Sequence, residues 1–312
     1  MTNIDFTPLT TKVSDFFHAP SKECARIFHG RGGCYKGLEW VTIDWFAPVV
    51  WVVVYRVIEP QVLSSLKDRL RVLGQNTPTI KNILIQQRLR PDPIIETIYG
   101  ETPDTLEALE SGCRFQLNLT KNQNTGFFLD TQPARSWVLE NSHDKNVLNL
   151  FAYTCAFSVM ALKGGASQVV NMDMMKSAIA TGRVNHRLND QLTERSVFYA
   201  HEIFRSLGKL RRHAPFDLVV IDPPSFQKGA FDVKKDYAKL LRKLPSLLAP
   251  KATLLLCLNA PYINAESFQS LVKESLPGMD LVKRVCPRED YPDVDIESGV
   301  KMLLFEYSQR GQ

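Results

Sequence analysis

FDLVVIDPPSF, residues 216–226, contains a strand signal that ends abruptly. Leu218 to Ile221 form a continuous apolar run, which is typical of a strand buried on both faces of a parallel sheet. Pro223 and Pro224 cannot donate backbone hydrogen bonds, so the strand must end before them. The stretch therefore places Asp222 at the carboxyl edge of a core strand. In open α/β sheets that edge is where ligands bind.

Strand and helix signals alternate on both sides of this stretch. Apolar runs that predict strands lie at 146–151, 167–172, 196–200 and 252–258, and helical patterns lie near 174–188, 232–248 and 264–276. His186 is expected on the surface of the first of these helices. Two final runs, near 280–287 and 300–307, have no helix signal between them and indicate an antiparallel pair. Residues 121–312 are therefore predicted to form a doubly wound α/β domain.

The first 120 residues have a different pattern. The segments WVTIDWF and VVWVVVYRV flank Ala47-Pro48 and predict a β-hairpin, and an amphipathic helix is expected over about 59–73. Three further strand signals follow: TIKNILIQQR, PIIETIY and FQLNL. We therefore expect a β-rich α+β accessory domain over residues 39–120, which would dock the substrate. Residues 1–38 are expected to be an irregular lead-in.

The composition is that of an ordinary globular protein, with 44% hydrophobic and 23% charged residues in a chain of 312. The longest apolar run, 46–55, is too short to cross a membrane, and the first residues lack a signal-peptide profile. Six scattered cysteines include no C-x-x-C pair, so neither a zinc site nor a disulfide framework is indicated, and no metal is expected. These features fit a cytoplasmic protein without a membrane partner, and they leave a homodimer open.

Basic residues are clustered along the chain although the net charge is only +5. Residues 205–251 hold eleven Lys or Arg and four Asp, and residues 67–90 are also basic. Such clusters suit a polyanionic partner such as RNA, or they are simply solvated helix faces. His29 and Arg31 in HGRGG could contact a phosphate, or the glycines there could form only a turn.

Two acidic residues follow predicted strands at the expected ligand edge. Asp173 ends the second strand of the α/β domain and could accept hydrogen bonds from both hydroxyls of a ribose. The loop after the first strand lacks G-x-G-x-x-G, so a pyrophosphate cradle is not indicated. Asp222, the prolines and Phe226 supply an acceptor, a rigid turn and a π face, which suits a flat nitrogenous ring. The alternative is a plain strand terminator with a packed Phe.

Five motifs occur in an order that resembles one family over residues 39–308. They are TGFFLDTQPARS, VLNLFAYTCAFSVMALKGGASQVVNMD, RVNHRLND, FDLVVIDPPSFQKG and GVKMLLFEY. The sequence resembles class I S-adenosylmethionine-dependent methyltransferases, and more narrowly the bacterial 23S ribosomal RNA large-subunit methyltransferases I and K. This resemblance implies a Rossmann-like seven-stranded sheet, S-adenosyl-L-methionine as cofactor and a base of large-subunit ribosomal RNA as the substrate.

The resemblance also implies the residues of the site. Those expected around the cofactor are Asp130 and Arg135 at its methionine end, Asn149, Phe151, Tyr153, Cys155 and Ala156 in the first loop, Asp173 and Met174 at the ribose, and His201 and Glu202 at the adenine. The residues expected between the methyl group and its acceptor are Asp222, Pro223, Pro224 and Phe226.

Two departures from the family pattern bear on the cofactor. Cys155 and Ala156 stand where relatives have glycine, and His201 stands where relatives have an Asp facing the adenine amino group. A neutral His201 could accept that hydrogen bond, or Glu202 could take its place. These departures favour one alternative, a non-catalytic methyltransferase-like RNA-binding protein. Another alternative is a methyltransferase that acts on a protein or a small molecule.

Whether a base carbon or a base nitrogen is methylated depends on whether a cysteine is placed to act as a nucleophile. Cytosine C5 becomes nucleophilic only after a thiolate adds to the ring, whereas a base nitrogen needs no covalent step. Cys257 lies in LLLCLNAPY, one position away from the Cys of the I-type enzymes, which would turn its side chain to the opposite face of the strand. The sequence therefore favours transfer to a base nitrogen.

Overall fold

The structure is a computed structural model that describes residues 4–88, 93–103, 105–119, 123–227 and 231–309, with only the backbone of residues 226–227. The chain divides into two compact units. The first unit comprises Met1–Leu129 and Arg288–Val294, and the second comprises Asp130–Pro287 and Asp295–Gln312.

The first unit is built on a five-stranded sheet and a separate hairpin. Its elements are α1 (Thr7–His18), β1 (Ala25–His29), β2 (Val41–Phe46), β3 (Val49–Val54), α2 (Pro60–Asn76), β4 (Asn82–Gln87), β5 (Ile94–Tyr99), β6 (Leu106–Glu110) and β7 (Cys113–Leu117). The sheet order is β1-β2-β3-β4-β5, and β6 pairs with β7. Strands β3 and β4 are parallel because α2 forms the crossover between them, and the other neighbours are antiparallel.

Alternation along the strands separates two buried faces of this sheet. Ile43, Val52 and Ile85 lie opposite one another and belong to a core shared with α1 and α2. Thr42 and Gln86, one position along their strands, point to the other face and are also buried. The second face therefore holds polar side chains away from water.

The structure differs from the expectations for the first 120 residues in two places. The expected irregular lead-in over residues 1–38 is not found in its described part, 4–38, which contains α1 and β1, and β1 pairs with β2. Strand β6 was not predicted, since LEALE consists of good helix formers. The turn after it explains the strand: Ser111 and Gly112 both have positive φ values, of 49° and 69°, as a tight hairpin requires.

The second unit alternates strands and helices. Its elements are α3 (Gln132–Asn141), β8 (Asn146–Leu150), α4 (Ala156–Lys163), β9 (Gln168–Asp173), α5 (Lys176–Leu188), β10 (Ser196–Ala200), α6 (Ile203–Leu210), β11 (Phe216–Ile221), β12 (Phe226–Gln227), β13 (Phe231–Asp232), α7 (Val233–Leu241), β14 (Leu248–Leu258), α8 (Ala265–Ser275), β15 (Met279–Arg284) and β16 (Lys301–Ser308).

Its seven-stranded sheet confirms the predicted doubly wound α/β fold. The strand order is β10-β9-β8-β11-β14-β16-β15, and only β16 runs antiparallel to its neighbours. The order reverses between β8 and β11. In such sheets the carboxyl ends of the strands on either side of the reversal open a ligand crevice.

Helix α7 and His186 differ from the expectations. The helix predicted over 232–248 ends at Leu241, and a short 3₁₀ turn, Leu244–Ser246, follows because Pro245 cannot continue an α-helix. His186 is fully buried, and its Nε2 lies 3.0 Å from Ser158 Oγ. Burial lowers the pKa of His186 to about 4, so the ring is neutral. No helix in the described ranges is long and apolar enough to span a bilayer.

Candidate active site

The loop after β8 makes an unusually tight path. Phe151, Tyr153 and Cys155 all have left-handed backbone conformations, with φ values of 55°, 46° and 64°. The loop is held by two backbone hydrogen bonds, from Ala152 N–H to Met172 O (3.1 Å) and from Cys155 N–H to Ala152 O (2.7 Å). A conformation that glycine adopts most easily is therefore adopted here by three residues with side chains, at a cost in backbone strain.

Cys155 fills the space between this loop and α5. Its side chain is fully buried, and a Cβ built on Gly182 would lie 2.4 Å from Cys155 Sγ, so residue 182 must be glycine. Burial, reinforced by the charge of Asp173, raises the pKa of the Cys155 thiol far above its ordinary value. The thiol is therefore a protonated packing group. Ala156 begins α4 directly after it.

Asp173 ends β9 with both carboxylate oxygens oriented by backbone groups. Its Oδ2 accepts the N–H of Tyr153 at 2.9 Å, and its Oδ1 accepts the N–H of Met175 at 2.8 Å. Burial raises the pKa of Asp173, whereas these two bonds lower it. Each oxygen has a second lone pair, which is what two vicinal ribose hydroxyls require. Met174, the next residue, is exposed.

Asn149 lies within the sheet. Its Nδ2 donates to Asn171 Oδ1 at 3.1 Å, and Asn171 Nδ2 donates to Val197 O at 3.3 Å. This chain of buried amides links β8, β9 and β10. Asn149 thus fixes the strand positions from which the first loop and Asp173 project.

Asp222 lies where the sequence placed it, directly after β11, and two groups from the start of α3 act on it. Burial and the negative charge of Asp130 raise the pKa of Asp222 to about 7, and the positive charge of Arg135 opposes this rise. The buried Arg135 is held by its own helix, since its Nη1 donates to Thr131 Oγ1 at 2.6 Å. The structure therefore brings Asp130, Arg135 and Asp222 together, and Asp222 gains or loses its proton near neutral pH.

The proline turn after Asp222 is tied to the end of β14. Pro223 is buried and Pro224 is exposed. Ser225 Oγ donates a hydrogen bond to the backbone oxygen of Asn259. Phe226 begins β12, and its side chain lies outside the described part of the structure.

Cys257 on β14 is a poor candidate for a nucleophile. Its side chain is fully buried and packs in a cluster that includes Met302 and Leu304. Burial, with the nearby charge of Asp222, raises the pKa of the thiol well above its ordinary value. The backbone oxygen of Cys257 accepts a hydrogen bond from the hydroxyl of Tyr237 at 3.1 Å.

His201 and Glu202 both have partners in their own unit. Lys209 Nζ lies 2.8 Å from His201 Nε2, and because an ammonium can only donate, that nitrogen is the acceptor and the ring proton lies on Nδ1. The carboxylate of Glu202 caps α6 by accepting the N–H groups of Phe204 and Arg205, each at 2.9 Å. The Nε2 of His201 is therefore occupied, whereas each oxygen of Glu202 keeps a second lone pair, as in Asp173, that could accept the adenine amino group.

Lys301 was missed in the sequence reasoning. It is fully buried at the start of β16, and its Nζ donates to Ala260 O at 2.8 Å and to Glu297 O at 2.6 Å. It thus fixes the chain just beyond Asn259, to which Ser225 is bonded. A lysine at the head of the apolar run KMLLFEY was the available signal, since lysine is rarely buried without partners.

Comparison with known proteins identifies the family to which a chain with this arrangement belongs. The family model described as S-adenosylmethionine-dependent methyltransferase matches residues 25–306. The chain is a member of the S-adenosylmethionine-dependent methyltransferases. The predicted family and its cofactor are thereby confirmed, together with the Rossmann-like sheet. SMU.776, solved in complex with SAH, is similar to this methyltransferase with a TM-score of 0.82 and 25% identity, covering 96% of this chain and 80% of that one.

Curated relatives of this methyltransferase are ribosomal RNA enzymes. It is 33% identical over 184 residues to ribosomal RNA large subunit methyltransferase I of Aeromonas hydrophila, covering 57% of this chain and 46% of the relative. It is 31% identical over 234 residues to ribosomal RNA large subunit methyltransferase K/L of Hahella chejuensis, covering 70% of this chain and 32% of the relative. The matches thus span less than half of each relative's length.

The residues of this methyltransferase fit S-adenosylmethionine on chemical grounds. Asp173 and Asp222 lie at the strand edge, and Asp130, just before α3, adds a third negative charge near Asp222, so the site suits a sulfonium cation. Asp173, with both oxygens held by backbone amides, suits the ribose hydroxyls. The buried guanidinium of Arg135 suits the carboxylate at the methionine end.

Proposed function

We propose that this methyltransferase transfers a methyl group to a nitrogen of an RNA base, and that the RNA is large-subunit ribosomal RNA. The substrate class follows from the two curated relatives, which are named for that RNA. The basic stretch 205–251, with its eleven Lys or Arg residues, supports a polyanionic substrate. A cytoplasmic location follows from the same proposal, since ribosomal RNA is modified there.

The observation that carries the choice of nitrogen is the contrast between Asp222 and Cys257. Methylation of cytosine C5 requires a thiolate, and the buried Cys257 thiol is held in its protonated form. Asp222, whose pKa is raised to about 7, supplies an acceptor beside the rigid proline turn. A carboxylate there can accept an N–H of a base and so direct the nitrogen lone pair toward the methyl group.

The roles of the chain's own residues follow from this proposal. When bound, S-adenosylmethionine supplies an electrophilic methyl group on a sulfonium. Asp173 binds the ribose hydroxyls, and Arg135 binds the carboxylate. Asp222 accepts the N–H and takes up the proton that the nitrogen loses. Stacking of the base on Phe226 remains a prediction from the sequence.

The direct test is methylation of ribosomal RNA from a strain that lacks this gene, with isotopically labelled S-adenosylmethionine and nucleoside mass spectrometry after digestion. We expect label in one base-methylated nucleoside, with the methyl group on nitrogen. The variant Cys257→Ala should retain transfer, because the thiol has no covalent role. Label in 5-methylcytidine, with loss of transfer in Cys257→Ala, would contradict the nitrogen assignment.

The salt dependence of binding distinguishes an RNA substrate from a protein or small-molecule substrate. RNA affinity should fall steeply as salt rises, because binding releases counterions from the phosphates. If the purified enzyme binds S-adenosylmethionine but shows neither label in RNA nor salt-dependent RNA affinity, the RNA assignment is wrong.

A further inference from the structure

The second face of the five-stranded sheet carries a cluster of arginines. Arg26 forms an ion pair with Asp44, both largely buried, and its guanidinium carbon lies 4.4 Å from the ring centroid of Tyr291. Arg288 forms an ion pair with Asp290 at 2.5 Å, and the backbone N–H of Arg26 donates to the same carboxylate. These two arginines are therefore neutralised within the cluster.

Two further arginines of the cluster lie against one tyrosine. The guanidinium carbon of Arg31 lies 4.5 Å from the ring centroid of Tyr55, and that of Arg88 lies 5.1 Å from it. We call Arg31, Tyr55 and Arg88 the Tyr55 stack. Tyr55 follows β3 and Arg88 follows β4, so the parallel pairing of these strands sets the two side by side.

The Tyr55 stack differs from the rest of the cluster in its charge balance. Within the described ranges, neither Arg31 nor Arg88 has a carboxylate at ion-pair distance. Arg88 Nε donates to Gln86 Oε1 at 3.0 Å, which orients the guanidinium without neutralising it. Burial, together with the like charges of Arg31 and Arg26, lowers the pKa of Arg88, and Tyr55 and the charge of Asp44 offset this only in part, so an anion at this position would relieve repulsion.

Arg31 is presented by a loop that packs tightly. A Cβ built on Gly32 would lie 1.8 Å from Pro292 O, and Val294 N–H donates to Gly32 O at 2.9 Å. On the other side of Arg31, the Nδ1 of His29 lies 2.7 Å from Arg26 Nη1, and the His29 ring lies 4.7 Å from that of Tyr291. The glycines of HGRGG therefore serve packing, and Arg31 projects from a fixed backbone.

We propose that Arg31 and Arg88, supported by Tyr55, bind a phosphate of the RNA backbone. This inference rests on the proposed function. Planar guanidinium groups match phosphate oxygens bidentately, and stacking on an aromatic ring holds them in place before binding, so little side-chain freedom is lost. A phosphate contact of this kind positions RNA without reading its sequence.

The test compares RNA affinity of the double variant Arg31→Gln/Arg88→Gln with that of Arg56→Gln, which removes one charge from an exposed neighbour of Tyr55. Fluorescence anisotropy of a labelled single-stranded oligoribonucleotide is measured between about 50 and 200 mM salt. We expect the double variant to bind about tenfold more weakly at low salt. Its plot of log affinity against log salt should be shallower by about 0.7 for each phosphate lost.

S-adenosylmethionine affinity and Tm are measured on the same variants and should match the wild type. If the double variant does not fold, Arg31→Gln alone is used, because Arg31 is exposed and its removal leaves the packing intact. The double variant Arg31→Lys/Arg88→Lys keeps both charges but lacks the planar guanidinium groups. Its RNA affinity should therefore lie between those of the glutamine double variant and the wild type.

The proposal is overturned if the double variant keeps the affinity and salt slope of Arg56→Gln. It is also overturned if the double variant loses affinity for an acidic peptide while RNA binding is unchanged. If the wild-type enzyme itself shows no salt-dependent RNA affinity, the proposed function fails and this inference fails with it. The wild-type measurement therefore distinguishes the two failures.

Discussion

The two sheets of this methyltransferase gather opposite charges. At the edge of the seven-stranded sheet, Asp173 ends β9 and Asp222 follows β11, and the charges of Asp130 and Arg135, from the start of α3, act on Asp222. The face of the five-stranded sheet carries Arg26, Arg31, Arg88 and Arg288 with Asp44 and Asp290. An acidic edge suits a sulfonium cofactor, whereas a basic face suits a polyanion. Under the proposed function, the cofactor and the nucleic acid would be recognised by separate sheets.

The two sites also stabilise their charges in different ways. Backbone N–H groups at the ends of β8 and β9 hold the carboxylate of Asp173. Aromatic rings hold the guanidinium groups of the first unit, at 4.4 to 5.1 Å from their centroids. Main-chain donors fix the Asp173 carboxylate in one orientation, as a pair of hydrogen bonds to vicinal hydroxyls requires. Rings fix only a plane, which is sufficient for a phosphate.

The largest expected effect is at the acidic edge. Asp222→Asn keeps the shape of the side chain but removes its capacity to take a proton, so methyl transfer should fall by about 10² to 10⁴. Single-turnover assays with labelled S-adenosylmethionine measure this. The affinity for the cofactor and for RNA should change little. If the variant keeps wild-type turnover, Asp222 takes no part in the reaction. The acidic edge would then differ from the basic face in charge but not in a catalytic role.

Asp173→Ala should act on the cofactor alone. It removes the charged acceptor of two hydrogen bonds donated by the ribose hydroxyls, each contributing about 1.5 to 3 kcal/mol, so the Kd for S-adenosylmethionine should rise by at least tenfold. Isothermal titration calorimetry measures the Kd. RNA affinity should remain that of the wild type if the two sheets act separately. An unchanged Kd for the cofactor would refute the ribose role.

The pH dependence of the methyl-transfer rate tests whether Asp222 acts as the proton acceptor. Its pKa is raised to about 7, and only the ionised form accepts a proton, so the rate of transfer should rise about tenfold between pH 6 and 8. The pH–rate profile under single-turnover conditions measures this rise. A rate that is flat over this range would mean that ionisation of Asp222 does not control the chemical step.

The Asp222 carboxyl should also make the free energy of unfolding depend on pH, and its raised pKa fixes the direction of that dependence. The folded pKa exceeds that of the unfolded chain, so the folded state binds more protons between about pH 4 and 7. The free energy of unfolding should therefore fall as the pH rises through this window. Asp222→Asn should lack this fall, and thermal melts of both proteins from pH 4 to 8 would detect the difference. If the Tm of the wild type and of Asp222→Asn changed with pH in the same way, the raised pKa of Asp222 in the folded state would be contradicted.

The smallest expected effect is at Cys155. Because its φ is 64°, Cys155→Gly should be more stable than Cys155→Ala by about 1 kcal/mol, the reverse of the usual order of these residues. Chemical denaturation of both variants measures the free energies of unfolding. A more stable alanine variant would mean that the left-handed conformation carries no strain.

Local sequence signals were sufficient for the second unit's sheet and for Asp173 and Asp222. Each of these acids directly follows an apolar run, so its place at the strand edge follows from the strand. In contrast, the helix formers of LEALE gave no strand signal, and only the Ser111-Gly112 turn reveals β6. Arg135 was reached through family resemblance, because nothing local sets this arginine apart as buried.

The Tyr55 stack could not have been predicted, because its members come from three distant parts of the sequence. Arg31 follows β1, Tyr55 follows β3 and Arg88 follows β4. Their meeting depends on strand order, which short-range patterns do not encode. The burial of His186 and Lys301 likewise depends on tertiary partners, Ser158 for the former and Ala260 for the latter.

The left-handed turns of the first loop have a thermodynamic consequence for binding. Phe151, Tyr153 and Cys155 are already confined to a narrow range of backbone angles, so the loop has little conformational entropy left to lose. The strain was compensated when the chain folded, and cofactor binding does not have to order this segment again. The loop is thus preorganised, and the binding energy that we propose for Asp173 would not be reduced by the entropy of ordering it.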